Sequence, residues 1–347
     1  MAEALHGGRV HELARELGLP LDAILDFSAN LNPLGPPPGV LELVRNLDPG
    51  MVAAYPQAEA PDLRERLCAR HRAQPGNLVL GAGGASLLFL ALRALAPRRV
   101  LVPQPCFREQ PRAVAASGAE LEPAAMPGLR LDLAGLDPGA CDAVLLTNPH
   151  NPTGQCLPRP DLAAWIARHP QVALVLDEAF MDYCEDASLL PGILARPRTV
   201  VLRSLTKFFA MPALRVGYAL ADPDTARRMA ALQEGWPVGE LALRAAAAAL
   251  ADAAYARRSL AAFHADAPDF AAGLEALGLH PLPSAAPFVL VPLPGSGTEL
   301  ARALRPQGIL VRTCSEWPGL GDRFVRLALR GRGDWPALFR ALRAWLG

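Results

Sequence analysis

Lysine is almost missing from this sequence. Of 34 basic residues among 347, one is a lysine, Lys207, and the other 33 are arginines. A chain that takes arginine nearly everywhere leaves one position where the guanidinium does not stand in. The chemical difference is that an ammonium can lose its proton and become a primary-amine nucleophile, whereas a guanidinium stays charged. On the count alone two readings are open, a lysine that condenses with a carbonyl or a surviving charge on a solvated face, and the neighbouring residues decide between them.

Excess charge of either sign is also missing, with 34 acidic against 34 basic residues. That leaves no electrostatic footprint for nucleic acid or an anionic membrane and points to a small-molecule partner. No window has the length and uniform apolarity of a membrane span, even around Ala245–Ala249. The first twenty residues lack the basic-then-apolar design of a secretion signal, so a cytoplasmic location is expected. The six cysteines (Cys68, Cys106, Cys141, Cys156, Cys184, Cys314) include no CxxC pair and read as reduced core residues. The seven histidines form no HxxxH or HExxH cluster, so no protein-bound metal is expected.

What is present is a rhythm of short apolar runs between about residues 77 and 221: NLVLG, RRVLVP, AVLLTN, VALVLDE, TVVLRS and VGYALA. They are too short for helices and too uniformly apolar for a half-wet sheet, so they suit strands covered on both faces. Helical patterns such as ASLLFLALRALA lie between them, which predicts a three-layer α/β domain with a mostly parallel sheet. The flanks differ. A helix and a proline-broken arm, SANLNPLGPPPG, precede the sheet, and PFVLVPL, GILVRTC and RFVRLALR near the C-terminus read as strands of a smaller α+β unit. The expected division is a large domain over residues 46–230 and a small one formed by 1–45 with 231–347, a ligand lying between them.

Thirty residues before Lys207, the run VALVL ends in DEAF. Asp177 thus falls at the carboxyl end of a strand, where open α/β sheets bind their ligands. A carboxylate there can pair with a cationic ring nitrogen and make the ring an electron sink. The loop in AVLLTNPHNPTGQ holds Asn148 and Asn151 at the same edge, with Asn148 reading as a turn residue. NLVLGAGGASLLFLALRAL runs strand, glycine loop, helix, and the free N–H groups of that helix start suit a phosphate. Ser86 takes the third glycine position of a dinucleotide fingerprint, so a lone phosphate fits better than a pyrophosphate.

Taken in order, NPLGPP, YP, the glycine loop, NPHNPTG, LDEAF, SLTKFFAMPALRVGY and RFVRLALR resemble the fold-type I pyridoxal-phosphate family, in particular its histidinol-phosphate aminotransferase-like branch. The resemblance spans nearly the whole chain and implies that family's fold, with pyridoxal 5'-phosphate as cofactor. It implies that Lys207 is the covalent anchor of the cofactor, Asp177 the partner of its ring nitrogen, and Asn151 a hydrogen bond to its phenolic oxygen. Gly84, Ala85, Ser204, Thr206 and Arg215 would hold the cofactor phosphate, and Phe107 would stack on the ring. Tyr55 matches a tyrosine that reaches the phosphate of a neighbouring subunit, which implies a homodimer. One departure is Phe180, where many members carry a tyrosine that donates to the phenolic oxygen.

Three further features, HGG at residues 6–8, LDFSANLNPLGPP and GILVRTCSEWPGLGDRFVRLALR, are most similar to the L-threonine-O-3-phosphate decarboxylases of cobalamin biosynthesis within that branch. By that resemblance Arg326 would fork onto the substrate carboxylate, while Arg312 and His6, helped by Asn32, would meet the substrate phosphate. An aminotransferase working with the same residues is the alternative. A cofactor-bound regulatory module is a third reading, against which stand the neutral charge and the lack of a DNA-binding segment before residue 20.

Overall fold

The computed structural model describes residues 7–347. After a short β1 (Leu25–Asp26), the chain lays down β2 (Leu78–Gly81), β3 (Arg99–Gln104), β4 (Glu120–Ala125), β5 (Ala143–Thr147), β6 (Ala173–Asp177), β7 (Thr199–Ser204) and β8 (Gly217–Ala221). From β2 onward these strands form one sheet in the order β2-β8-β7-β6-β5-β3-β4. β8 runs antiparallel to both neighbours, and every other pairing is parallel. β5 to β8 are buried along their whole length, which is why their sequences show no polar alternation. β4 is the exception: ELEPAA is largely exposed at the sheet's edge, the place where a proline such as Pro123 can lack its N–H without breaking a ladder.

Side chains alternate across a strand, and that parity builds the site. Leu146, Leu176 and Val201 enter one apolar layer, while Leu145, Val175 and Leu202 enter the other, packed with the helix Gly84–Leu95. Two residues on from the second set are Thr147, Asp177 and Ser204, which therefore share that helix's side of the sheet. Thr147 is paired with Asp177, and Ser204 with Gly217, which in turn pairs with Gly81. Parallel strands bring all of these ends to one edge. A Cβ on Gly217 would come 2.8 Å from the Arg203 carbonyl oxygen and 3.1 Å from the Gly84 nitrogen. Glycine at 217 thus lets the loop before the helix lie against the sheet.

The flanks close on each other. β9 (Phe288–Pro292), β10 (Ile309–Leu310), β11 (Arg312–Thr313) and β12 (Phe324–Ala328) complete the strands. β1 pairs in parallel with β10, and a separate antiparallel sheet takes the order β11-β12-β9. GILVRTC is thus split at Val311, one half serving each sheet. Phe27 bridges the two: its N–H donates to Leu310 O and its carbonyl accepts from Ala328 N, both at 2.8 Å. One apolar core joins Phe27, Leu176, Leu220, Phe270, Val325 and Leu338, so packing is continuous between the large sheet and the flanks. The helix Glu240–Ala251 packs on both Pro38–Arg45 and Pro61–His71. Among the described residues, no helix is long and apolar enough to cross a membrane.

Candidate active site

At the carboxyl edge of the large sheet lies a cleft of about 470 Å³, roofed by the arm residues 28–30 and by Arg326 of β12. Lys207 lines it, on a single helical turn (Leu205–Phe208) that Ser204 caps by accepting from the Thr206 N–H at 3.3 Å. The arm ties to this turn through Asn32 N, which donates to Lys207 O at 3.1 Å. Burial lowers the Lys207 ammonium to a pKa of about 8, and Arg326 and Arg215 add to the effect while Asp177 opposes it. Roughly one molecule in ten then carries a neutral amine at pH 7. Here the readings left open by composition separate, because a solvated surface lysine has no such environment.

Asp177 shares the cleft. Burial raises its pKa to about 6, against the pull of the Ala179 N–H, which donates to Oδ1 at 3.1 Å, and of the Lys207 charge. Its neighbour in register, Thr147, accepts from Gln110 Nε2 at 2.6 Å. The next residue, Glu178, is fully buried in an ion pair with Arg203 Nε at 2.8 Å, which holds the turn after β6. A carboxylate kept this dry is stabilised by any cationic group brought against it.

The glycine loop supplies an anion cradle. The amides of Gly84, Ala85 and Ser86 precede the first intrahelical bond of Gly84–Leu95, so they point outward with no helical acceptor. Ser204 and Thr206 bring hydroxyls 2.7 Å apart. Arg215, anchored by NH1 to Pro212 O at 3.0 Å, lies against the loop so closely that a Cβ on Gly83 would fall 2.8 Å from its NH2. A helix start, two hydroxyls and a guanidinium in one corner suit a phosphate.

Arg326 is buried, with its guanidinium over the faces of Phe288 (5.3 Å) and Trp317 (5.6 Å). NH1 donates to Asn151 Oδ1 at 2.6 Å and NH2 to Ser28 O at 3.2 Å, while Nε has no partner among the described residues. Burial lowers its pKa to about 10, with Arg312 adding to the effect. Arg312 stands directly opposite Arg326 in the β11–β12 register. It is also buried, 4.9 Å over Trp317 and 3.7 Å from Glu316 Oε2. Like charges directly opposed on a ladder are unfavourable, and an anion between or beside them relieves the repulsion.

Gly84, Ala85, Phe107, Asn151, Asp177, Ser204, Thr206, Lys207, Arg215 and Arg326 thus come together around one cleft. Other expected residues do not. Asn32 is no ligand: its amide donates to Phe208 O and Ser259 Oγ, both at 2.8 Å, and its Oδ1 accepts from Leu34 N. That side chain pins the arm to the turn carrying Lys207. Two residues earlier, Asn30 lines the cleft with a buried Oδ1 that has no partner among the described residues, and nothing in SANLN separates the two asparagines. Arg312 is not among the cleft-lining residues. Tyr55 is 79 % exposed and stacks on Trp236 at 4.4 Å, away from the cleft of its own chain. His6 lies outside the described residues. Asn148 is structural, its Oδ1 accepting from Leu157 N at 2.8 Å. Phe180 lines the cleft and meets Phe288 edge-on at 5.2 Å.

An amine that can lose its proton and a cradle for phosphate ask for a ligand with an aldehyde at one end and a phosphate at the other. Pyridoxal 5'-phosphate has both, and its ring nitrogen suits the dry carboxylate of Asp177. These features define the class as a pyridoxal-phosphate-dependent α/β enzyme. The chain belongs to the class I and II aminotransferase family, whose model matches residues 22–334. It is 36% identical to the threonine-phosphate decarboxylase of Salmonella typhimurium over 97% of this chain and 95% of that one. It is 34% identical to a histidinol-phosphate aminotransferase of Mycobacterium tuberculosis over 93% and 87% of the two chains. Its fold matches the histidinol-phosphate aminotransferase of Sinorhizobium meliloti solved with pyridoxal-5'-phosphate, at a TM-score of 0.85 and 27% identity over 97% and 94% of the chains.

Proposed function

We propose that this enzyme decarboxylates L-threonine O-3-phosphate to (R)-1-amino-2-propanol O-2-phosphate, a step of cobalamin biosynthesis. One observation carries the choice of reaction: the 36% identity to a threonine-phosphate decarboxylase extends over 97% of the chain, flanks included. The opposed guanidiniums of Arg312 and Arg326 support a substrate with a carboxylate and a second anionic group.

In this reading Lys207 anchors the cofactor aldehyde, Asp177 faces the ring nitrogen, and the Asn151 amide donates to the phenolic oxygen. The Gly84 and Ala85 amides, Ser204, Thr206 and Arg215 hold the cofactor phosphate, with Phe107 on the ring face. When bound, pyridoxal phosphate supplies an electron sink for the pair left at Cα. Arg326 would take the substrate carboxylate on its fork and fix the orientation of that group, which selects the bond to be cleaved. His6 meets the substrate phosphate, and Arg312, in register with Arg326 but outside the cleft lining, contributes its charge. Lys207 would then return a proton to Cα as the general acid. Tyr55 is offered outward to the phosphate of a second subunit in a homodimer, and the enzyme works in the cytoplasm.

The test is to incubate holoenzyme with O-phosphothreonine alone, and separately with histidinol phosphate and 2-oxoglutarate, measuring CO2 and glutamate. CO2 from the first without glutamate from the second is the expected result. Glutamate without CO2 establishes the aminotransferase reading, which the Mycobacterium relative favours.

A further inference from the structure

Cys156 and Cys184 are 28 positions apart in sequence, yet their sulfurs lie 3.5 Å apart, within hydrogen-bonding distance. Both are partly exposed and both are free thiols. A disulfide needs about 2.0 Å between sulfurs, so the pair has to close by only about 1.5 Å, within the reach of small side-chain and loop adjustments. The two thiols sit outside the cleft lining, on two segments that each carry residues lining it, Asn151 on one and Asp177 and Phe180 on the other. Cys156 ends the loop that carries Asn151, a loop held by His150 N donating to Gln155 O at 2.7 Å and Leu157 N to Asn148 Oδ1 at 2.8 Å. Cys184 follows Asp177 and Phe180, between the turns Met181–Tyr183 and Glu185–Ala187.

We propose that Cys156 and Cys184 are a reversible dithiol–disulfide pair which, when oxidised by a small disulfide, ties the Asn151 loop to the segment following Asp177. The electrons balance within the exchange. The Cys156 thiolate attacks one sulfur of the small disulfide and expels a thiolate. Cys184 then loses its proton and displaces the second thiol, leaving the Cys156–Cys184 bond and two reduced small thiols. Contact with Cys184 lowers the Cys156 thiol below its ordinary pKa, which makes Cys156 the attacking group. Cys106, Cys141 and Cys314 are buried, and the remaining partly exposed thiol, Cys68, is raised above its ordinary pKa by burial, which makes it the weaker nucleophile.

Holoenzyme treated with oxidised glutathione under native conditions, then alkylated in denaturant, tests this. The expected result is four alkylated cysteines out of six, a non-reduced peptide joining residues 156 and 184, and a thermal midpoint raised by several degrees that falls back on adding dithiothreitol. Cys156→Ser and Cys184→Ser should each lose the cross-link and the midpoint shift. Six alkylated thiols, a bridge between other cysteines, a glutathione adduct that never resolves, or a cross-link without a midpoint shift would each overturn the proposal. If a serine variant does not fold, the wild-type peptide map still decides. None of these readouts depends on which reaction the enzyme catalyses.

Discussion

Replacing Gly83 by alanine probes the phosphate cradle through a residue that touches no ligand. Gly83 stands at φ 88° and ψ 166°, a region essentially closed to L side chains, so alanine there costs about 1–3 kcal/mol of folding stability. Its Cβ would also lie 2.8 Å from Arg215 NH2. The guanidinium is the end of a flexible side chain, so it is the group that moves. Arg215 is then withdrawn from the corner it shares with Ser204 and Thr206. A hydrogen bond to a charged group contributes about 1.5–3 kcal/mol, so the cofactor should bind roughly ten- to a hundredfold more weakly. Titration of apoprotein with pyridoxal phosphate, followed by absorbance, measures this, and thermal unfolding reports the backbone cost separately. Arg215→Ala is the reference. Both changes remove one contact, so Gly83→Ala should weaken binding little further in the Arg215→Ala background. Full additivity, or wild-type affinity in Gly83→Ala, refutes the cradle.

Two more expectations follow. Asp177 has a folded pKa raised to about 6 over an unfolded value near 3.9, so its ionisation opposes folding in full above pH 6, and that cost fades as the pH falls toward 4. In denaturant titrations of apoprotein, Asp177→Asn should be the more stable form by roughly 1–3 kcal/mol at pH 7.5, with about half that advantage left at pH 5; a difference that does not change with pH would contradict the burial argument. Asn32→Ala removes the bonds to Ser259 Oγ and to Phe208 O, which keeps only the Tyr255 hydroxyl at 3.2 Å, and should cost about 1–3 kcal/mol of stability with KM nearly unchanged. Asn30→Ala should do the reverse, raising KM with little loss of stability, and the opposite pattern would reinstate Asn32 as the ligand.

Much of the large sheet was legible because a strand buried on both faces has to be apolar throughout, and β5 to β8 are. β4 was not legible, since an exposed edge strand carrying two glutamates and a proline has no periodic signal. Lys207 and Asp177 stood out for chemical reasons: one amine among 33 guanidiniums, and an acid at the end of an apolar run. Asn151 could be told from Asn148 only by its motif, and Asn30 could not be told from Asn32 at all. The arm is irregular, so neither strand parity nor helical period says which of its side chains turns inward.

Local chemistry alone, then, determined most of the element order, the covered sheet, and the lysine and carboxylate as the reactive residues, because hydrophobic periodicity and side-chain reactivity are properties of short stretches. What tertiary structure decided were relations between distant segments. Arg326 lies against Asn151 and opposite Arg312, Arg215 rests on Gly83, and Cys156 meets Cys184. Such contacts arise where packing brings separate loops to one edge of a sheet, and no spacing along the chain encodes a distance across it.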